Sequence, residues 1–242
     1  DKCLKKSKKH KKDYSAGAHM LIGEYGGIPF IEHCNKLISK STYKSIKEFN
    51  KLFMKLFRYL EPLFLGLTEL YKHKICHQDL SAWNIMFKNN QCYMIDFGLS
   101  IHFERLSPKE LYNYFYIYEP MYYVWPLEVH LVNYILHVNS EIGEKDMKRL
   151  AKDYVSHNIV LRAFSPRFQK KFEAECYYEL SKYIGKDSDA IIQRILKYWH
   201  TWDNYALSVL YIKLIYYLIR NDSGKVIKNE FVSFFIELCL NN

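Results

Sequence analysis

The chain has 242 residues, 49% hydrophobic and 25% charged. These values exclude disorder over most of its length and admit one large domain, or two modest ones, around a sizeable core. Its net charge is +9, which invites a nucleic-acid reading, but seven lysines and two aspartates in residues 1–13 supply +5 of it and leave +4 for the other 229 residues.

That lysine run, DKCLKKSKKHKKD, has no apolar block behind it and so is not a secretory signal. Residues 1–20 read first as a solvated basic segment. The sharper alternative is an electrostatic contact with an acidic or phosphate-bearing partner, including acidic lipid. Because the first residue is Asp1 and not Met, we expect a piece of a longer product. Residues 20–30, MLIGEYGGIPF, read as a strand that exits through a Gly26-Gly27 turn. From 45 to 74 the apolar residues Phe49, Leu52, Phe53, Leu56, Phe57, Leu60, Phe64, Leu67 and Leu70 recur at helical steps, with Pro62 placed to kink or split the helix. Short apolar runs at 84–87 and 92–95 flank Asn89-Asn90, a hairpin signature. Residues 101–126 look irregular and aromatic-rich, and their tyrosines read as packing residues or, if exposed, as a docking surface. Beyond them the chain reads as helical, with expected helices at 141–157, 165–184 and 187–200 and a buried one at 201–220. A last apolar helix is expected at 231–240. No apolar run reaches the roughly 18 residues of a membrane span; the longest, 205–219, is interrupted by Ser208 and Lys213.

The six cysteines, Cys3, Cys34, Cys76, Cys92, Cys176 and Cys239, show no C-x-x-C spacing. Scattered thiols of this kind suit a reducing, intracellular setting better than a disulfide scaffold or zinc knuckle. His73, Cys76 and His77 are close enough to offer metal ligands, but His77 has a better role in the block that follows.

The chemistry concentrates in His77-Gln78-Asp79-Leu80-Ser81-Ala82-Trp83-Asn84 and Ile95-Asp96-Phe97-Gly98. Asp79 and Asn84 bracket a short loop, and the hairpin returns Asp96 towards them. Two carboxylates and an amide oxygen are hard donors that suit Mg2+. One carboxylate can then remain to orient a hydroxyl nucleophile. Taken singly, an aspartate in a turn is a capping residue; the constellation gives the reading its weight.

Residues 77–84 resemble the protein-kinase catalytic loop H-R-D-L-x-x-x-N, and Asp96-Phe97-Gly98 matches D-F-G. Residues 21–27 resemble the strand and hinge between kinase lobes. Trp125-Pro126-Leu127-Glu128 resembles the A-P-E motif, and residues 201–208 resemble the start of the buried helix that braces the catalytic loop. The wording at 202–208 is closest to divergent kinases of large DNA viruses. The resemblance implies an α+β, protein-kinase-like fold: a mainly helical C-lobe over residues 21–242, with a small β-hairpin at the catalytic site. It implies ATP and Mg2+ as cofactors and a protein substrate, with Ser/Thr ahead of Tyr. Asp79 would orient the substrate hydroxyl, and Asn84 and Asp96 would hold Mg2+ against the phosphates. Glu24 and Gly26 would offer backbone hydrogen bonds to adenine above a floor made by Met86. His77 would pack on Phe97, Glu128 would form a structural ion pair, and Asp203 would accept backbone amides of the catalytic loop.

The pattern departs in four places. Gln78 replaces the arginine that pairs with an activation-segment phosphate, so activity is expected not to need that phosphate. Ser81 replaces a lysine that touches the γ-phosphate. Glu128 and Asp203 stand 75 positions apart, much further than in the family, which implies a helical insertion at about 130–198. No G-x-G-x-x-G loop or V-A-I-K-like strand occurs, so the N-lobe is expected to be largely missing from this chain. Two alternatives remain: a pseudokinase or scaffold using the fold to bind a partner, and a kinase-like small-molecule phosphotransferase.

Overall fold

In the computed structural model the described residues are 26–39 and 45–220. The lysine run, the expected strand carrying Glu24, and the expected helix at 231–240 lie outside them. The described part opens with β1 (Ile28–Pro29) and α1 (Phe30–Ser39), followed by α2 (Ile46–Lys72) and β2 (Ile75–Cys76). The hairpin β3 (Ile85–Lys88) and β4 (Gln91–Met94) follows, then β5 (Ile101–His102) and the short α3 (Leu111–Tyr114). Helices α4 (Leu127–His137), α5 (Glu144–His157), α6 (Pro166–Ser181), α7 (Ser188–Leu196) and α8 (Trp202–Arg220) complete it.

Helix α2 forms where the apolar periodicity predicts it. Ser45, in extended backbone, caps its start by accepting the Glu48 amide at 3.3 Å. Glu48 in the first turn and Lys72 in the last suit the helix dipole. The helix runs on through Pro62 without splitting. Pro62 forfeits one backbone donor, but Leu60, Leu63 and Leu67 around it are buried, and that burial outweighs the loss.

The hairpin also forms as read. β3 and β4 pair antiparallel with Ile85 opposite Met94, and Asn89 and Asn90 both take positive φ, 52° and 61°, as a two-residue I′ turn requires. β1 adds to the other edge of β3, with Ile28 opposite Phe87 and Pro29 opposite Met86. Gly27 permits this close approach. Its φ is +103°, and a Cβ there would stand 2.2 Å from the carbonyl oxygen of Phe87. β2 pairs with β5 in a second small sheet. These two-residue pairings carry no period-2 pattern long enough to be read from sequence.

The helical half agrees with expectation in element type and shifts in bounds. Ser165 and Asp187 are N-caps rather than helical residues, accepting the amides of Phe168 and Ala190. The 187–200 segment breaks into α7 and a 3-10 turn at Trp199–Thr201. Helix α4, buried on most sides with His130 and Asn133 among its buried residues, has too little polar contrast to stand out as amphipathic in sequence. Helix α4 packs on α5 and α7, and α5 pairs with α6. Trp202 at the start of α8 sits in the core, edge-on to Phe103 and Phe115 with centroids 5.7 and 5.9 Å away. The start of α8 is thereby fixed against the segment that follows β5.

Among the described residues no helix is long and apolar enough to cross a membrane. The four described cysteines, Cys34, Cys76, Cys92 and Cys176, are unpaired and buried. Burial pushes the thiols of Cys92 and Cys176 up to about 12, which makes them packing groups rather than nucleophiles.

Candidate active site

The site is built on the loop between β2 and β3. His77 is fully buried and organises the loop with both ring nitrogens. Its Nδ1 accepts the amide of Asp79 at 3.3 Å, so the ring proton sits on Nε2, which donates to the carbonyl of Ile95 at 3.1 Å. The ring packs against Phe97 with centroids 4.7 Å apart, as expected. One imidazole thus ties the start of the loop to the far end of the hairpin.

The loop backbone is braced from below. Asp203, at the first turn of α8, accepts the amides of His77 and Gln78 at 2.6 and 3.1 Å. Burial raises its carboxyl above the usual range, while the two amides pull it back down. Gln78 takes a positive φ of 65° and is buried, with its side-chain nitrogen unpartnered. Pointing inward and uncharged, it is no reader of a surface phosphate.

Asp79 and Asn84 come together as the spacing predicts. Asn84 Nδ2 donates to the carbonyl of Asp79 at 2.9 Å and to Asp79 Oδ2 at 2.7 Å. Because both partners are acceptors, the amide nitrogen must face them, and Oδ1 of Asn84 is turned away. Ser81 shapes the turn between them: its amide donates to the carbonyl of Asp79 and its carbonyl accepts the amide of Asn84, at 2.8 and 3.0 Å. Asp96 is linked across the hairpin, where the Ile95 amide donates to the carbonyl of Asn84 at 3.0 Å. Asp96 itself is exposed, has φ 62°, and accepts the Gly98 amide on Oδ1 at 3.2 Å.

Among the described residues no group of three His, Cys, Asp or Glu is placed to hold a metal. His73, Cys76 and His77 do not form one, since Cys76 and His77 are packed in the core. The remaining donors are the Asn84 amide oxygen and the Asp96 carboxylate, two hard oxygens at the ends of one hairpin. That set fits Mg2+, which takes one or two protein oxygens and completes its shell with water and phosphate.

On the other side of the hairpin, half-buried Met86 lies beside Gly26, whose Cβ position is 4.0 Å from Met86 Cγ. The two residues expected at the adenine site are therefore adjacent; Glu24 lies outside the described residues. Trp83 stands exposed next to Asn84.

Two contributors were not expected. Tyr122 donates its phenol O–H to Asp79 Oδ1. Trp125 Nε1 donates to the carbonyl of Gln78 at 2.9 Å, and the two rings pack 4.5 Å apart. Burial first, and the bond to Asp79 second, push the Tyr122 phenol well above its ordinary value, so it stays a donor. Its only sequence signal is a place in an aromatic run three residues before Trp125.

Glu128 differs from expectation. Among the described residues it forms no ion pair, although it is largely buried, and burial raises its carboxyl. Glu175 and Glu179 line the same pocket as Glu128.

Comparison with known proteins bears on the same block. No curated protein and no solved structure matches the chain. Residues 36–112 match the model of the RIO domain, an atypical protein-kinase family, and the matched stretch contains Asp79, Ser81, Asn84, Met86 and Asp96. The match supports the protein-kinase superfamily and, at that level, a kinase-like phosphotransferase.

Proposed function

We propose that the protein transfers the γ-phosphate of ATP to a protein hydroxyl, Ser/Thr ahead of Tyr, and that residues 21–242 are its catalytic lobe, with 130–198 as a helical insertion. The observation that carries the reading is the bonded pair Asp79–Asn84, on a loop whose backbone is pinned by Asp203, with Asp96 following the residue that bonds Asn84 across the hairpin. Asp79 would orient the attacking hydroxyl. Asn84 Oδ1 and Asp96 Oδ2 would hold Mg2+, which when bound neutralises charge on the phosphates. Gly26 and Met86, with Glu24, would border the adenine. Ser81, in place of a lysine, leaves the γ-phosphate one cation short and makes the metal pair correspondingly more important.

The test is ATP-dependent phosphate transfer by the full-length protein to added protein acceptors, with Mg-nucleotide binding followed by thermal shift. Asp79→Asn should lower transfer about 10²–10⁴-fold with nucleotide binding retained, and Asp96→Asn should weaken binding of Mg-nucleotide itself. Wild-type protein that neither transfers phosphate nor shifts with Mg-nucleotide would overturn the reading.

A second reading, the pseudokinase, is favoured by one observation: both carboxylate oxygens of Asp79 are engaged internally, by Asn84 and by Tyr122. Nucleotide binding without transfer to any acceptor selects it. Transfer to small-molecule hydroxyls but to no protein would select a kinase-like small-molecule phosphotransferase.

A further inference from the structure

The position at Asp79 Oδ1 is where a substrate hydroxyl belongs if Asp79 orients the acceptor, and the chain already places a hydroxyl there. We infer that Tyr122 is an intramolecular phosphoacceptor: its phenol oxygen is the first hydroxyl the site phosphorylates. The inference rests on the proposed kinase activity and adds an acceptor to it.

The placement of Tyr122 is built, not incidental. The segment before α4 is a chain of tight turns, in which the amide of Tyr122 donates to the carbonyl of Glu119 at 3.0 Å and that of Trp125 to Tyr122 at 3.1 Å. The Glu119 carboxylate accepts the Met121 amide at 2.9 Å. Trp125 then staples the segment to the catalytic loop through the carbonyl of Gln78, one residue before Asp79. The Trp125 bond, to the residue just before Asp79, holds the segment carrying the phenol against the loop. The phenol is half-buried. It donates to Asp79, as an acceptor hydroxyl must before transfer.

The step balances with nucleoside triphosphate as the only co-reactant. The Tyr122 oxygen forms a bond to the γ-phosphorus, the bond from that phosphorus to the β–γ bridging oxygen breaks, and the nucleoside diphosphate leaves. The phenolic proton passes to Asp79 Oδ1. Phosphotyrosine is therefore a product of turnover and not a condition for it, which agrees with an uncharged, buried Gln78.

The experiment incubates the full-length protein with Mg-ATP and maps phosphate by peptide mass spectrometry, alongside transfer to an added protein acceptor and the thermal shift with Mg-nucleotide. Phosphate on Tyr122, appearing with a first-order rate that dilution leaves unchanged, is expected. Asp79→Asn should slow it about 10²–10⁴-fold, and Tyr122→Phe should remove it. Transfer to the added acceptor with Tyr122 unmodified overturns the inference and leaves the kinase reading standing. A rate that falls with dilution overturns the intramolecular arrangement. No transfer and no thermal shift removes both. Mapping on wild-type protein decides the matter even if a variant folds poorly.

Discussion

Asp203 accepts the amide of His77 at 2.6 Å across 126 positions of sequence. That bond, with its neighbour to Gln78, lets one carboxylate hold a loop whose φ at Gln78 is a strained 65°. Replacing Asp203 by Ala leaves two buried amides without acceptors, at about 1–3 kcal/mol each, less what is recovered by no longer burying a carboxylate. We expect Asp203→Ala to lose about 2–4 kcal/mol in urea unfolding, and Asp203→Asn less, because it keeps one acceptor oxygen. Hydrogen exchange should speed up first at His77 and Gln78. Unchanged protection at those two amides would refute the bracing role.

Gly27 carries a comparable burden at the hairpin edge. With φ at +103° and the Phe87 carbonyl 2.2 Å from its Cβ position, Gly27→Ala cannot be accommodated without moving β1 off β3. A loss of about 2 kcal/mol or more is expected, with exchange of the β1–β3 amides rising. Since Gly26 lies beside Met86, Mg-nucleotide affinity should fall in the same variant. Stability at the wild-type level would show that the edge strand is dispensable.

The hairpin and α2 were readable because their signals are local: two asparagines at an I′ turn, and apolar residues at helical steps capped by Ser45. Asp79, Asn84 and Asp96 were readable for a related reason, since a hairpin of known register brings its ends together. The Asp203 bonds were anticipated only through family resemblance; no local pattern links residues so far apart. Tyr122 escaped because its role depends on how the 119–126 turns dock, and a tyrosine in an aromatic run carries no mark of its partner. The Glu128 ion pair was expected by resemblance and is absent among the described residues, where burial alone raises its carboxyl. The viral flavour of residues 202–208 finds no counterpart in the RIO-domain match, which ends at residue 112.

Trp125 tests whether the segment before α4 is docked or merely adjacent. Trp125→Phe keeps an aromatic ring in the core and removes the donor to the Gln78 carbonyl together with part of the buried indole. We expect a loss of about 1 kcal/mol and, more tellingly, freer motion of Tyr122, visible as line broadening or added mobility of its ring resonances. A Tyr122 environment identical to wild type would show that the staple does not position it.

Glu128 gives the pH dependence. Its folded carboxyl titrates above its ordinary 4.5 because burial disfavours the charged form. Below that ordinary value the group is protonated both folded and unfolded, and its burial costs no charge. As pH rises through the raised folded value, the native state must ionise a buried group that the unfolded chain ionises freely, so stability falls. Glu128→Gln removes that loss while keeping shape. The variant should therefore be more stable than wild type at neutral pH, by on the order of 1 kcal/mol, or about 2–4 °C in Tm. The gain should shrink to nothing as pH drops below about 4.5. The comparison needs only thermal melts of the two proteins from pH 4 to 8 (buffer-matched, at constant ionic strength). A variant less stable than wild type at neutral pH would refute a net cost of ionising Glu128 in the folded state.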